Sequence, residues 1–526
     1  MIPPKNIFLT ILIALVGLCA YGQKGAVITA DGLRAYVDKF NKADNELYKG
    51  FISNADAFDF LKNNIPLLDC PDKNIQETYY FRWWTYRKHI KKTKDGFVVT
   101  EFLPDVPWAG KDNAISCPAA LHFYEGRWLK DQTYLNSYAD YWFHRGGSPR
   151  SYSFWPADAL YNYFKVTGKD SLCKALLPDL IKNYAGWEKD RLDNNGLFWQ
   201  IDDRDGMEVS ACGSGYRATI NSYMYGEARA IADIAAIDHQ KDIADQFAGK
   251  AIAIKNNVQQ HLWDEKARFF KMLPRNAGAA LCNWRELYGY TPWYFNMPDN
   301  QYAAAWQFLM SPKAFYAPYG PTTLEQSSPE FKISYEGHEC QWNGPSWPYA
   351  TSITLTGLAN LLNNYKQAYI SKAQYLKLFE IYTNSQRLKL DNGTVVPWID
   401  ENLNPFTGDW ISRTRLKTWK NGTWAKDKGG EERGKDYNHS TYCDLLISGL
   451  IGLRPQAGDK LVINPLLPAN TWKYFCLDGV WYHGKSITIM YDQTGRKYHR
   501  GSGFFVFVNG QKKAFSKEVG KLKVAI

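Results

Sequence analysis

The chain has no Cys-x-x-Cys pair, and its nine cysteines are scattered, so neither a thiolate metal site nor a redox motif is predicted. No metal and no cofactor are expected. After the N-terminal residues no second apolar run reaches membrane length, which predicts a soluble mature protein with no membrane span. No fixed sequence period is found, which argues against a solenoid. The formal charge is +10, yet only Arg87 to Lys94 is densely basic, and no RNA or DNA motif surrounds it. Nucleic acid is therefore not expected as a partner, whereas an acidic ligand such as a uronide stays open.

What is present begins with a secretory pattern. Lys5 supplies a charge, Ile7 to Cys19 an apolar core, and Ala20-Tyr21-Gly22 a small-x-small cleavage site. Residues 1–22 are expected to be a signal peptide and the protein secreted or periplasmic. Lipidation at Cys19 is disfavoured by Leu18 before it. Eight cysteines would remain after cleavage, in a compartment that permits disulfides, but their spacing does not identify pairs.

Aromatic residues make up 16% of the chain, and many tryptophans and tyrosines adjoin Gly, Pro, Asp or Asn. Aromatics in such polar loops suit stacking on sugar rings, although most of them belong to a core. Residues 23–150 read as mixed, with a helix over Glu77–His89, a strand over Gly96–Leu103 and a further helix over Glu125–Trp142. Apolar residues then recur at helical spacing in pairs of segments. The pairs are Ala157–Phe164 with Leu172–Trp187, Ile220–Ile231 with Ile243–Leu262, Arg285–Phe295 with Asp299–Met310, and Ser346–Leu362 with Gln374–Arg387. A last helix opens at His439. Connections within pairs are short and those between pairs long, which places the long ones on one rim. The expected fold is mainly α, an (α/α)6 barrel of helical hairpins over residues 151–455. Alternating apolar and β-branched residues at Lys460–Asn464, Val480–Tyr491 and Gly503–Val508 predict a small C-terminal β domain over 456–526.

The long connections carry the chemistry. Trp199 to Ser210 holds Asp202, Asp203, Asp205 and Glu208 within ten positions, and such crowding raises at least one carboxyl pKa. A carboxyl kept protonated near neutral pH can act as a general acid. A solvated acidic turn before a helix is the plainer reading of that stretch taken alone. A second carboxylate, Glu401, sits in a constrained turn running from Pro397 to Asp409. Between them, Tyr335 to Pro348 contributes Trp342, Asn343 and Trp347. Two carboxylates across a cleft of aromatics are the minimal equipment for hydrolysing a glycosidic bond.

Here the sequence resembles the mannosylglycerate-hydrolase-like and family 63 glycoside hydrolases, relatives of trehalase, over roughly residues 150–455. Gly206-Met207-Glu208-Val209-Ser210 is similar to their Gly-Met-Asp-Asn-Ser, and Trp342-Asn343-Gly344-Pro345-Ser346-Trp347 to their Trp-Arg-Gly-Pro-Val-Trp. The most specific match is Glu401-Asn402-Leu403-Asn404-Pro405-Phe406-Thr407-Gly408 with Glu-Asn-Tyr-Asn-Pro-x-Thr-Gly. The C-terminal strands resemble the β domain appended to several helical-toroid glycosidases and phosphorylases. The resemblance implies that Glu208 is the general acid and Glu401 the base of an inverting glycoside hydrolase. Glu208 stands where the family has aspartate, and Asn343 where it has arginine, which removes a charged substrate contact. Asp205 is the alternative acid if the longer arm of Glu208 is not tolerated. The expected partner is an oligosaccharide with a terminal, α-linked sugar, gripped by Trp199, Asp205, Trp342, Asn343, Trp347 and Trp398. Two other readings remain at this stage: a carbohydrate-binding protein that has lost catalysis, and a polysaccharide lyase using Tyr437 or His439 as base.

Overall fold

Helix-forming segments with one apolar face must bury it against a neighbour, and here they do so as antiparallel pairs. The computed structural model describes residues 26–526, so the signal peptide expected over 1–22 lies outside the described residues. Helices α1 (Asp31–Ala43) and α2 (Ala57–Asn64) precede α3 (Lys73–Lys88), followed by α4 (Ala119–Gly126) and α5 (Thr133–His144). The first hairpin pairs α6 (Pro156–Thr167) with α7 (Ser171–Ala175) and α8 (Leu177–Arg191). The second pairs α9 (Ala218–Ile237) with α10 (Lys241–His261). After the one-turn α11 (Thr291–Tyr294) come α12 (Pro348–Asn364), α13 (Lys372–Ser385) and α14 (Ile411–Gly422).

Helix ends show why these segments start and stop where they do. The Asp72 carboxylate accepts from the backbone N–H groups of Asn74 and Ile75 at 3.0 Å and caps α3. Ser371 and Gln374 form a capping box on α13. Gly168 closes α6 at φ 71°, a left-handed conformation that glycine adopts without strain. Two buried carboxylates from neighbouring helices also serve as caps. Glu227 accepts from the N–H groups of Ala157 and Asp158, and Glu125 from those of Tyr442, Cys443 and Asp444.

The ring closes through α3. Arg82 donates to Gln386 at 3.2 Å and Tyr382 at 3.3 Å, and Arg387 donates to Thr78 at 2.9 Å. Residues ahead of the hairpins thus contribute a wall of the barrel as well as leading into it. The core is aromatic: Trp155 stacks on Tyr223 with ring centroids 4.2 Å apart, and Trp83, Trp128, Trp293, Trp306 and Trp410 are fully buried.

Several expected elements differ in detail. The helix expected over Glu125–Trp142 breaks between α4 and α5, where Asp131 accepts from the N–H of Thr133 and starts a new helix. The third pair is reduced to α11 and a 3-10 stretch at Asn300–Phe308; Pro292 lacks the N–H that a helix running through from Arg285 would use, so α11 starts beside it. The last helix contains a π-helical segment, Leu445–Leu450. Helix α14 lies within the expected long connection, and its Arg- and Lys-rich sequence gave little apolar periodicity to read.

The C-terminal region is antiparallel β-sheet. Tyr474–Tyr482, Lys485–Asp492, Gly503–Val508 and Gln511–Ser516 form successive strands, and Leu67–Asp69 adds to the Tyr474 edge with Leu68 opposite Leu477. The single strand expected over Val480–Tyr491 is a hairpin, since His483 and Gly484 both have positive φ and turn the chain. A smaller sheet pairs Lys460–Ile463 with Leu522–Ala525 and Leu453–Arg454.

Candidate active site

At one end of the barrel lies a cavity of about 260 Å³. Glu208, Trp342 and Trp347 line it, so three of the residues expected from the sequence meet there. Glu101, Trp108, Tyr152, Arg433, Tyr437 and His439 are also in its wall. Every one of these comes from a connection or a helix start, which is how a rigid scaffold presents chemistry.

The acidic stretch is held as a folded turn. Asp202–Asp205 is a 3-10 turn that ends on Gly206 at φ 68°, and a Cβ at Gly206 would lie 2.5 Å from the Cys117 sulfur. A disulfide between Cys212 and Cys282, with Cα atoms 5.8 Å apart, ties the stretch to the next long connection. The Glu208 carbonyl accepts from the N–H of Trp342 at 3.1 Å, joining the first acidic motif to the tryptophan motif. Among the described residues no other side chain hydrogen-bonds to the Glu208 carboxyl. Burial, with added repulsion from Asp203, Glu401 and Asp202, pushes its pKa up to about 8.

Asp205 has a different fate. It is fully buried, accepting from Arg217 at 2.7 Å, from Ser153 at 2.6 Å and from the Thr219 hydroxyl. Its oxygens brace the turn against α9, and neither Asp205 nor the Arg217, Ser153 and Thr219 side chains that hold it line the cavity. The expectation of a substrate contact there is corrected.

Trp342 and Trp347 stack face to face, centroids 4.6 Å apart and planes 15° apart. The Trp347 indole N–H donates to the Gln341 carbonyl at 2.8 Å. Asn343 sits between them in sequence but turns away, its carbonyl accepting from the Lys332 N–H, and it does not line the cavity. Trp199 lies outside the cavity, sandwiched between Arg275 at 3.9 Å and Arg191 at 4.1 Å. Trp398 is buried beneath Arg413 and also outside it. The sugar-stacking role expected of Trp199 and Trp398 has no support in their positions, since arginines cover both rings, and the substrate contact expected of Asn343 has none because it lies outside the cavity.

Glu401 stands immediately behind the wall. Arg433 grips it through Nε at 2.8 Å and Nη2 at 3.2 Å, Ser412 donates at 3.1 Å, and the Cys340 thiol lies at 3.6 Å. Arg433 and Cys340 both face the cavity. The turn that carries Glu401 is pinned to the tryptophan motif by paired backbone bonds between Ser346 and Leu403, and by Asn402 donating to the Glu339 carbonyl. Next to it, Asp400 is pushed up to about 7 by burial and by the Glu401 charge. Its carboxyl leaves room only for hydrogen at residue 434, where a Cβ would approach to 2.0 Å, which explains Gly434.

Three further charged or polar groups of the wall are Glu101, Glu339 and His439. Glu101 accepts from the Tyr437 hydroxyl, and burial, reinforced by Glu401 and Glu208, pushes its pKa up to about 8. Burial opposes ionisation of Glu339 too, but Arg433 and Lys428 outweigh it and pull that carboxyl down to about 2. His439 has both ring nitrogens unpartnered and is held neutral by burial. Nothing in the sequence around Glu101 marks it, since it follows a short β-strand as a single carboxylate. Among the described residues no cluster of three His, Cys, Asp or Glu is placed to hold a metal ion, and no helix is long and apolar enough to cross a membrane.

The family model described as the mannosylglycerate hydrolase MGH1-like glycoside hydrolase domain matches residues 111–440. That of the glycosyl hydrolase family 65 C-terminal domain matches residues 453–514. A solved structure named a sialidase is 39% identical, with a TM-score of 0.87, covering 94% of this chain and 45% of that one. The GH63 mannosylglycerate hydrolase of Thermus thermophilus, in its complex with Tris, shares the fold at 12% identity and a TM-score of 0.50, covering 70% of this chain and 99% of that one. A GH78 rhamnosidase of Bacillus sp. GL1 does so at 13% identity and a TM-score of 0.52, covering 81% of this chain and 40% of that one. An uncharacterized protein of Borreliella burgdorferi is 25% identical over 205 residues, 38% of this chain and 41% of that protein. The chain thus matches less than half the length of the sialidase and of the curated relative.

Proposed function

Because the chain belongs to the mannosylglycerate hydrolase MGH1-like glycoside hydrolase family, we propose that it removes a terminal, α-linked sugar from an oligosaccharide with inversion at the anomeric carbon. The observation that carries this reading is Glu208, a carboxyl facing a sugar-sized aromatic cavity and holding its proton up to about pH 8. A neutral carboxyl there donates to the departing glycosidic oxygen. Glu401 takes the second role: it accepts a proton from water as that water attacks the anomeric carbon. Its oxygens are held by Arg433, Ser412 and Cys340, and because Arg433 and Cys340 face the cavity, this role requires water to enter between those two side chains. The stacked Trp342–Trp347 pair supplies an apolar face for the ring.

A cavity of about 260 Å³ is slightly smaller than drug-sized ligand pockets, roughly 300–1,000 Å³, and supports one ring rather than a threaded polymer. The disulfide Cys212–Cys282 supports an exported, oxidising setting. A lyase reading fares worse. Tyr437 donates to Glu101, and burial with that carboxyl's charge pushes its pKa well above 10, the opposite of what a base requires. The sugar is left to experiment, and the name of the sialidase relative makes sialosides the first substrates to try beside mannosides and rhamnosides.

Glu101 is a specific competitor for the acid role, since it faces the same cavity with the same raised pKa. Leaving-group dependence separates them. Glu208→Gln should lose about 10²–10⁴-fold on a natural glycoside and little on a glycosyl fluoride, which needs no proton. Glu101→Gln should treat both substrates alike. The reverse pattern transfers the acid role to Glu101.

A further inference from the structure

Four elements that begin at the active-site cavity run on to a second one. Tyr152 precedes α6, Glu208 precedes α9, Trp347 precedes α12 and His439 precedes the π-helical segment, and all four line the first cavity. Further along the same elements, Lys165, Arg229, Asn360 and Ser448 line the second, of about 770 Å³. Eleven residues of α12 separate Tyr349 in one wall from Asn360 in the other, about 16 Å along a helix. The second cavity therefore lies toward the opposite end of the barrel. The buried stack of Trp155, Tyr223 and Tyr294 fills the space between. It is also where barrel and C-terminal strands share a wall, through Val462, Asn464, Lys521 and Lys523.

Its charge is unbalanced. Arg127, Lys165, Arg229, Arg454, Lys521 and Lys523 face three carboxylates, Asp158, Asp233 and Asp444. Those carboxylates are already engaged: Asp444 by Arg127 at 2.7 Å, Asp233 by Arg229 at 3.8 Å, and Asp158 by the Tyr124 hydroxyl at 2.6 Å. Among the described residues Lys165, Arg454, Lys521 and Lys523 have no carboxylate within ion-pair distance. Arg454 is held instead by neutral groups, the Asn360 side-chain oxygen and the Ser448 carbonyl. Removing cations from water without a counter-charge is costly. Lys165 records that cost: burial, aided by Arg127 and Arg454, pushes its ammonium down to about 8 despite Asp158. Tyr161, Tyr225 and Phe295 add ring faces, and Asn162, Asn296 and Gln456 add amides.

We propose that this second cavity is a binding site for an anionic saccharide, whose acidic group meets Lys165 and Arg454 while Lys521 and Lys523 close over it from the C-terminal strands. An inorganic ion would neutralise the cations but leave most of the volume and the ring and amide groups unused. Sites at the junction of two structural units are common positions for small-molecule ligands. Because the cavity shares no lining residue with the active site, occupancy can be read without turnover.

The test is calorimetric titration of the full chain with glucose 6-phosphate, glucose and inorganic phosphate at one ionic strength. Glucose 6-phosphate should bind with 1:1 stoichiometry, roughly tenfold or more tighter than either component. Lys165→Gln should weaken it roughly tenfold while sugar release at the active site is unchanged. The paired exposed substitutions Lys521→Ala and Lys523→Ala should do the same, and they keep the test valid if Lys165→Gln fails to fold. Equal binding of phosphate (an ion site only), equal binding of glucose, no binding, or affinity unaffected by all these substitutions would each overturn the proposal. Failure of the glycosidase reading would leave these titrations untouched.

Discussion

Arg433 clasps Glu401 with two hydrogen bonds, 2.8 and 3.2 Å, while its third nitrogen stands 3.5 Å from Glu339. One guanidinium therefore organises both cation-paired carboxylates of the site, and it lies against the Trp108 ring at 5.0 Å. Its planar fork matches a carboxylate in a way a lysine ammonium cannot.

Removing it should be expensive. Both partners are buried, and taking away one half of a buried pair costs about 3–5 kcal/mol. Arg433→Met is expected to lose stability on that scale in guanidinium unfolding, and Arg433→Lys to fold better but remain catalytically weak because Glu401 loses its orientation. A variant Arg433→Met as stable as the native chain contradicts the pairing.

The raised pKa of Glu208 has a consequence for pH. Its carboxyl holds a proton to about 8 in the folded chain, against 4.5 as its ordinary value. Between those values the folded state binds more protons than the unfolded state, so this group's contribution to stability decreases as pH rises. Glutamine cannot ionise, so Glu208→Gln should gain stability relative to the native chain between about pH 5 and about pH 8. Catalysis by the native enzyme should fall above about pH 8, as the acid loses its proton. Denaturation midpoints and kcat/KM across that range check both signs, and a stability difference moving the other way contradicts the assignment.

The tryptophans divide by position. Trp347→Ala and Trp342→Ala should each raise KM for the true substrate and cost about 3–5 kcal/mol of stability, since both rings are packed as well as facing the cavity. Trp199→Ala should leave KM unchanged, because that ring is occupied by Arg191 and Arg275. Kinetics on a released-sugar assay separate the two groups, and equal KM effects would contradict the cavity as drawn.

How much of this was legible depended on the kind of signal. The hairpins α6 to α10 showed plainly, because their apolar residues repeat at helical spacing and Gly168 marks a stop. Strand Gly503–Val508 was read to its end residues for the same reason, a clean run between glycine and Asn-Gly. The distorted third pair was not, since proline and 3-10 geometry leave no period to count. At the site, motifs contiguous in sequence pointed to Glu208, Trp342 and Trp347, which line one cavity. Trp199 and Trp398 look the same in sequence, but tertiary partners decide whether an indole faces sugar or arginine. Motif similarity favoured Glu208 over Asp205 as the acid, but only the fold shows that Arg217, twelve residues on, binds Asp205. Glu101 could not be found at all, because only folding brings it beside Tyr437.

The central claim, acid and base acting across one ring, is tested most directly by the configuration of the first product. Proton NMR of sugar released from the best oligosaccharide substrate, recorded before mutarotation, should show the anomer opposite to that of the substrate, and Glu401→Gln should abolish the signal. A first product that keeps the substrate's configuration, or a Glu401→Gln variant of undiminished activity, would contradict the account.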